Sequence, residues 1–133
     1  MTPELYWLTW TVAFSGLLWI PYVANRFREL GAPSWTKWFP PLDPLHRAEW
    51  ANRSAKAHVN AVEGLVVFTP LAIVASVQGG TAATALARQI FFFARSAHAL
   101  VQTIGMPIPF RTMPFLVAFA CQITLAVSIL SRA

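Results

Sequence analysis

Arg53, Lys56, Asn60 and Glu63 stand at the i, i+3, i+7, i+10 spacing of one helical face. A second set, Arg88, Arg95 and Gln102, recurs every seven residues, with His98 between the last two. Cationic, amide and carboxylate groups on such stripes can hold an anion, lock two helices as an internal ion pair, or pass an ion or proton. Both stripes run into apolar sequence, "VEGLVVFTPLAIVA" after the first and "LARQIFFFARSAHAL" around the second. A charge at bilayer depth costs a few kcal/mol or more, so it normally faces a bundle interior or a wet cavity.

The elements that must position these groups follow from composition. Of 133 residues, 56% are hydrophobic and 11% charged, against about 25% charged in soluble domains. Residues 5–25 and 112–131 contain no Asp, Glu, Lys or Arg. Residues 64–87 form a third such run, split by the turn signal Gln78-Gly79-Gly80-Thr81. Since a span needs about 20 residues, the sequence predicts an all-α integral membrane protein. It forms a single membrane domain over 1–133, with helices near 4–25, 53–77, 82–104 and 112–131. Glu4 stands where a signal peptide is basic, and the apolar run outlasts an h-region, so the first helix is expected to stay in the chain. Trp7, Trp10, Trp19, Tyr22, Trp35, Trp38 and Trp50 fall where interfacial aromatics belong. The Pro-rich connection "GAPSWTKWFPPLDPLHRAEW" is expected to lie along the membrane surface.

The turn at 78–81 makes the second and third helices antiparallel neighbours. At 1.5 Å rise per residue, Glu63 lies ~21 Å and Arg95 ~20 Å from it, and Asn60 and His98 are level at ~25 Å. Lys56 and Gln102 are level at ~30 Å. The expected seam therefore pairs Glu63 with Arg95, Asn60 with His98 and Lys56 with Gln102. It opens towards the more basic side of the membrane, as a pocket for an anion would.

The net charge of +5 does not form a soluble basic patch of the kind nucleic acid needs. Arg26, Arg28, Lys37 and Arg47 are expected in the first connection and Arg111 in the third, whereas the second carries no Lys or Arg. Positive-inside then places both basic connections in the cytoplasm and both termini outside, with Arg132 the exception. Cys121 is the sole cysteine, so no disulfide framework or zinc spacing exists; it is expected to be a buried thiol. Arg88 is level with Pro70, whose ring frees the carbonyl of Val66. Arg53 and Lys56 can alternatively snorkel to headgroups, and Asn60 can simply bridge helices. His58 lies off the seam and takes no role. Asn52-Arg53-Ser54 matches a glycosylation acceptor, but at a cytoplasmic membrane edge it is not expected to be used.

"RSAKAHVNAVEGLVVFTPL" resembles the second-helix signature, and "ARSAHALVQTIGMPIPFRT" the third-helix signature, of the membrane-associated proteins in eicosanoid and glutathione metabolism, the MAPEG family. With "LLWIPYVANR" the resemblance covers nearly the whole chain, and is to a bacterial branch, which implies a bacterial inner membrane. It implies a homotrimer of four-helix subunits with glutathione held between neighbours. Arg26, Arg53, Lys56 and Arg95 match the family's carboxylate-binding cations; Asn60 and Glu63 belong to the same motif, and His98 and Gln102 complete the expected cofactor-binding set. Arg111 matches the Arg that stabilises the thiolate and is the expected catalytic residue; a cation beside a thiol favours its reactive form. Gln102 stands where many members have Tyr, and Gly64 where several have an aromatic residue. The function so implied is a glutathione-dependent transferase or peroxidase acting on apolar electrophiles from the lipid. Two other readings stay open: a non-catalytic scaffold of the same fold that binds lipid or protein, and a small ion or proton transporter.

Overall fold

The computed structural model describes residues 3–32, 34–38 and 45–132, and all regular structure among them is helical. The chain enters as α1 (Pro3–Leu17), continues as α2 (Ile20–Leu30) and makes one short turn of helix, α3 (Trp35–Trp38). Three long helices follow, α4 (Glu49–Val77), α5 (Ala82–Ile104) and α6 (Ile108–Leu130). With α1 and α2 taken as one interrupted rod, they form an up-and-down four-helix bundle.

The first rod is broken where a single helix over 4–25 was expected. Pro21 occupies the first turn of α2, a position that suits its fixed φ and missing N–H, and the chain restarts there after Leu18 and Trp19. The restarted helix runs on to Leu30, so Arg26 and Arg28 ride on α2 instead of a loop. Helix α4 begins at Glu49 instead of 53, its carboxylate placed at the positive end of the helix dipole. Helix α6 begins at Ile108 instead of 112, again with Pro in its first positions, and this draws Arg111 into the first turn.

The α4–α5 turn is specified locally. Gly79 and Gly80 take φ of +88° and +42°, which only glycine adopts freely. A reciprocal cap follows: Thr81 Oγ1 accepts from Thr84 N at 3.1 Å, and Thr81 N donates to Thr84 Oγ1 at 2.7 Å.

The core is built from small residues, two rings and the leucines Leu8 and Leu125. Ala72, Ala75, Ala87, Ala94, Ala118 and Cys121 let the helices approach closely. Phe68 and Phe91 stack between α4 and α5 with centroids 3.6 Å apart. Cys121 is buried, as expected. Trp7, expected at the interface, packs against Phe92 and Phe93 of α5.

Among the described residues, three rods are long and apolar enough to cross a membrane: Leu5–Leu30, Glu49–Val77 and Ile108–Leu130. Helix α5 is the fourth of the bundle but not one of these. It packs against α1, α4 and α6, so its polar groups meet protein. Arg88 is fully buried and donates through Nη2 to the carbonyl of Ala72 at 2.7 Å. That bond ties Arg88 to the α4 backbone close to Pro70, the level expected for it.

At the opposite end of the bundle from the 78–81 turn, a polar clasp ties α2 to the start of α4. Glu29 Oε1 accepts from Asn25 Nδ2 at 2.7 Å and from the Ala48 amide at 3.1 Å, while its Oε2 lies 3.6 Å from His46 Nδ1. Asn52 closes on the backbone of His46, accepting from its N–H and donating to its carbonyl, both at 2.8 Å. That side chain is occupied on both faces, which argues structurally against its modification. Tyr22 Oη and His58 Nδ1 meet at 2.8 Å, giving His58 a role in joining α2 to α4.

Candidate functional site

The polar stripes of α4 and α5 face one another. Lys56, Asn60 and Glu63 from α4, with His98 and Gln102 from α5, line a cavity of about 500 Å³. A second cavity of about 280 Å³ shares Asn60 and Glu63 and adds Arg95, Gly64 and Gln122 to an apolar wall of Val67, Phe91, Phe115 and Phe119. A third, about 180 Å³, shares His98 and Gln102 and brings in Arg111, Thr112 and Phe115. The shared walls make one region, polar towards the clasp end of the bundle and apolar deeper in it.

Arg95 is 4% exposed, and its position is set by α4 rather than by an acid. Its Nη2 donates to the Asn60 side-chain oxygen at 2.7 Å and to the Asn60 backbone carbonyl. The expected direct pair with Glu63 is not formed. Glu63 is exposed on the outer side of the seam and reaches the guanidinium only through its field. Level positions therefore proved a good guide to neighbourhood and a poor one to bonding, because a long Arg side chain reaches across by about a turn.

Gly64 explains how Arg95 lies so close. A β-carbon there would stand 3.2–3.3 Å from three atoms of the guanidinium group. The planar group rests against bare α4 backbone. Gln122 of α6 donates to the carbonyl of Gly64 at 3.2 Å and closes the third side. Sequence reasoning left Gln122 out, although an amide in an otherwise charge-free span is a readable signal of an inward-facing position.

Arg53 and Arg26 stand apart from the cavities. Arg53 Nε donates to the carbonyl of Thr103 at 3.0 Å, neutralising the negative end of α5, and its Nη1 lies 3.4 Å from Glu49. Gly105, at φ +80°, ends α5 and leaves the room Arg53 needs, since a β-carbon would come within 2.9 Å of its Nε. Arg26 lies 3.8 Å from Glu29 on α2. Of the expected cations, Lys56, Arg95 and Arg111 thus reach the seam, whereas Arg53 caps the end of α5 and Arg26 lies beside Glu29 on α2.

Arg111 is placed differently from the other cations. It donates through Nη1 to Gln102 Oε1 at 3.2 Å, while its Nε is buried and has no hydrogen-bond partner. It sits in the first turn of α6, where the helix dipole adds further positive potential. An oriented buried donor with spare capacity, beside a cavity, suits an anion. Among the described residues no group of His, Cys, Asp and Glu could hold a metal ion.

Inward-facing polar stripes on helices that otherwise cross a bilayer define an integral membrane four-helix bundle with an internal site. The model of the MAPEG family matches residues 5–131 of this chain. The chain belongs to that family, whose members include membrane transferases and peroxidases of glutathione metabolism. Comparison with curated proteins and with solved structures gives no match.

Proposed function

We propose that the protein is a glutathione-dependent transferase or peroxidase acting on apolar electrophiles, assembled as a homotrimer in a bacterial inner membrane with both termini outside the cytoplasm. The observation that carries this reading is the buried, unpartnered Nε of Arg111 beside the cavity walls of His98 and Gln102. Glutathione offers two carboxylates, one ammonium and a thiol, and would supply the nucleophile. The donor set suits it: the exposed Lys56 ammonium complements a carboxylate, and the Glu63 carboxylate complements an ammonium. Gln102 orients Arg111 and can bond a peptide group. Arg111, held in a low-dielectric setting, favours a thiolate over a thiol and strengthens its own bonds to it.

The apolar wall of Val67, Phe91, Phe115 and Phe119 is suited to an electrophile drawn from lipid, next to the polar half of the site. Trimerisation is supported by Glu63, which lies exposed on α4 among Val59, Val62, Val66 and Val67. A carboxylate on a lipid-facing apolar surface is costly, and a neighbouring subunit would enclose it.

Native mass spectrometry of the protein in mild detergent, paired with calorimetric titration of glutathione, tests both parts. Three chains and a saturable heat are expected. A folded trimer without measurable glutathione binding would overturn the enzymatic reading and leave a scaffold.

A further inference from the structure

The geometry points to a second binding surface, at the clasp end of the bundle, that recognises the headgroups of anionic phospholipids. Three cations are gathered there by contacts that have no part in the seam. The Phe27 and Trp38 rings meet at 4.7 Å, bringing α3 and Lys37 against α2 beside Arg28. The Glu29 carboxylate bonds the Ala48 amide and lies near His46, which sets the intervening Arg47 against the same end of α2. Arg28, Lys37 and Arg47 are all exposed and make no ion pair with a described residue.

The sole acid on α2 is turned inward. Glu29 spends its oxygens on Asn25, Ala48 and His46 of the clasp and on Arg26, so it does not pair with Arg28, Lys37 or Arg47. The exposed acid nearby, Glu49, is paired with Arg53, so Arg28, Lys37 and Arg47 are left in excess. Trp35 and Leu45, at 78% and 82% exposure, stand out from the neighbouring segments. Cations two residues from projecting apolar side chains, Lys37 after Trp35 and Arg47 after Leu45, match the chemistry of a lipid interface, where phosphate lies just above acyl chain. The occupant is therefore an anionic lipid, whose phosphate and tail can be met at once, and not a soluble polyanion.

The test uses the delipidated, intact protein in neutral detergent, titrated with phosphatidylglycerol or with phosphatidylcholine and read by native mass spectrometry. Phosphatidylglycerol is expected to bind more tightly, with affinity falling as salt is raised. Arg28→Gln, Lys37→Gln and Arg47→Gln combined should weaken it roughly tenfold or more, taking each basic group at a few-fold. Arg132→Gln, at the other end of the bundle, should leave it unchanged. Lys37→Gln alone, on an exposed side chain, gives a smaller loss without risk to the fold. Equal binding of the two lipids, salt-independent binding, or a combined variant that binds like the parent would overturn the proposal.

Discussion

Replacing Asn60 by Leu isolates the interaction that holds Arg95 in the bilayer. The substitution keeps side-chain bulk on α4 but removes the Oδ1 acceptor 2.7 Å from Nη2. The backbone carbonyl of the same residue remains, so Arg95 keeps one partner and loses its better-directed one. Hydrogen bonds to charged groups contribute about 1.5–3 kcal/mol, whereas polar contacts within membranes average about 0.6 kcal/mol because the dispersed helices find other partners. Arg95, at 4% exposure, has little access to alternatives, which places the expected loss in the upper range, about 1.5–3 kcal/mol. For a chain of this size that corresponds to a fall in Tm of roughly 5 to 10 °C. Thermal unfolding in a fixed detergent is the assay, with Glu63→Gln measured beside it. Glu63 makes no direct bond to Arg95, so its substitution should cost less. An Asn60→Leu variant as stable as the parent, or a Glu63→Gln variant less stable than Asn60→Leu, would refute this account.

Gly105→Ala should destabilise by about 1–2 kcal/mol, read by the same thermal assay, since it forces a side chain into the left-handed region and crowds the Arg53 guanidinium. On the glutathione reading, Arg111→Ala and Arg111→Lys should each keep the assembly, bind glutathione more weakly only by the stabilisation its thiolate loses, and lose thiolate absorbance near neutral pH and turnover of a model electrophile. A Lys carries the charge without the directed planar donors, so an intact thiol pKa in Arg111→Lys would reduce the residue to a charged anchor. Gln102→Tyr should tighten glutathione binding in a calorimetric titration by adding a phenolic donor at the wall shared by two cavities; weaker binding would indicate a pocket adapted to another ligand.

The bundle and its polar seam were legible because their signals are long and periodic. Charge-free runs of span length and a Gly-Gly turn specify antiparallel rods, and helical spacing then places Lys56, Asn60, Glu63, His98 and Gln102 on facing stripes. What could not be read was the reach of flexible side chains. Arg53 and Arg95 each choose among several backbone carbonyls and polar groups within a turn of their own level, and the choice depends on bare backbone at Gly105 and Gly64. Helix starts were misjudged for a related reason. Glu49 and Pro109 are favourable first-turn residues, and they begin α4 and α6 before the apolar runs that mark the spans. The break between α1 and α2 was signalled by Pro21, which the uninterrupted apolar pattern concealed.

Helix α5 also constrains how the chain is made. It lacks the apolarity to partition into lipid by itself, and the carbonyl that receives its buried Arg88 belongs to α4. The dependence runs one way: α4 is long and apolar enough to span by itself, whereas α5 needs α4 beside it to satisfy Arg88, and the short turn at Gly79 and Gly80 keeps that acceptor close. A longer turn would leave that acceptor less firmly held beside an arginine that has little else in lipid to bond.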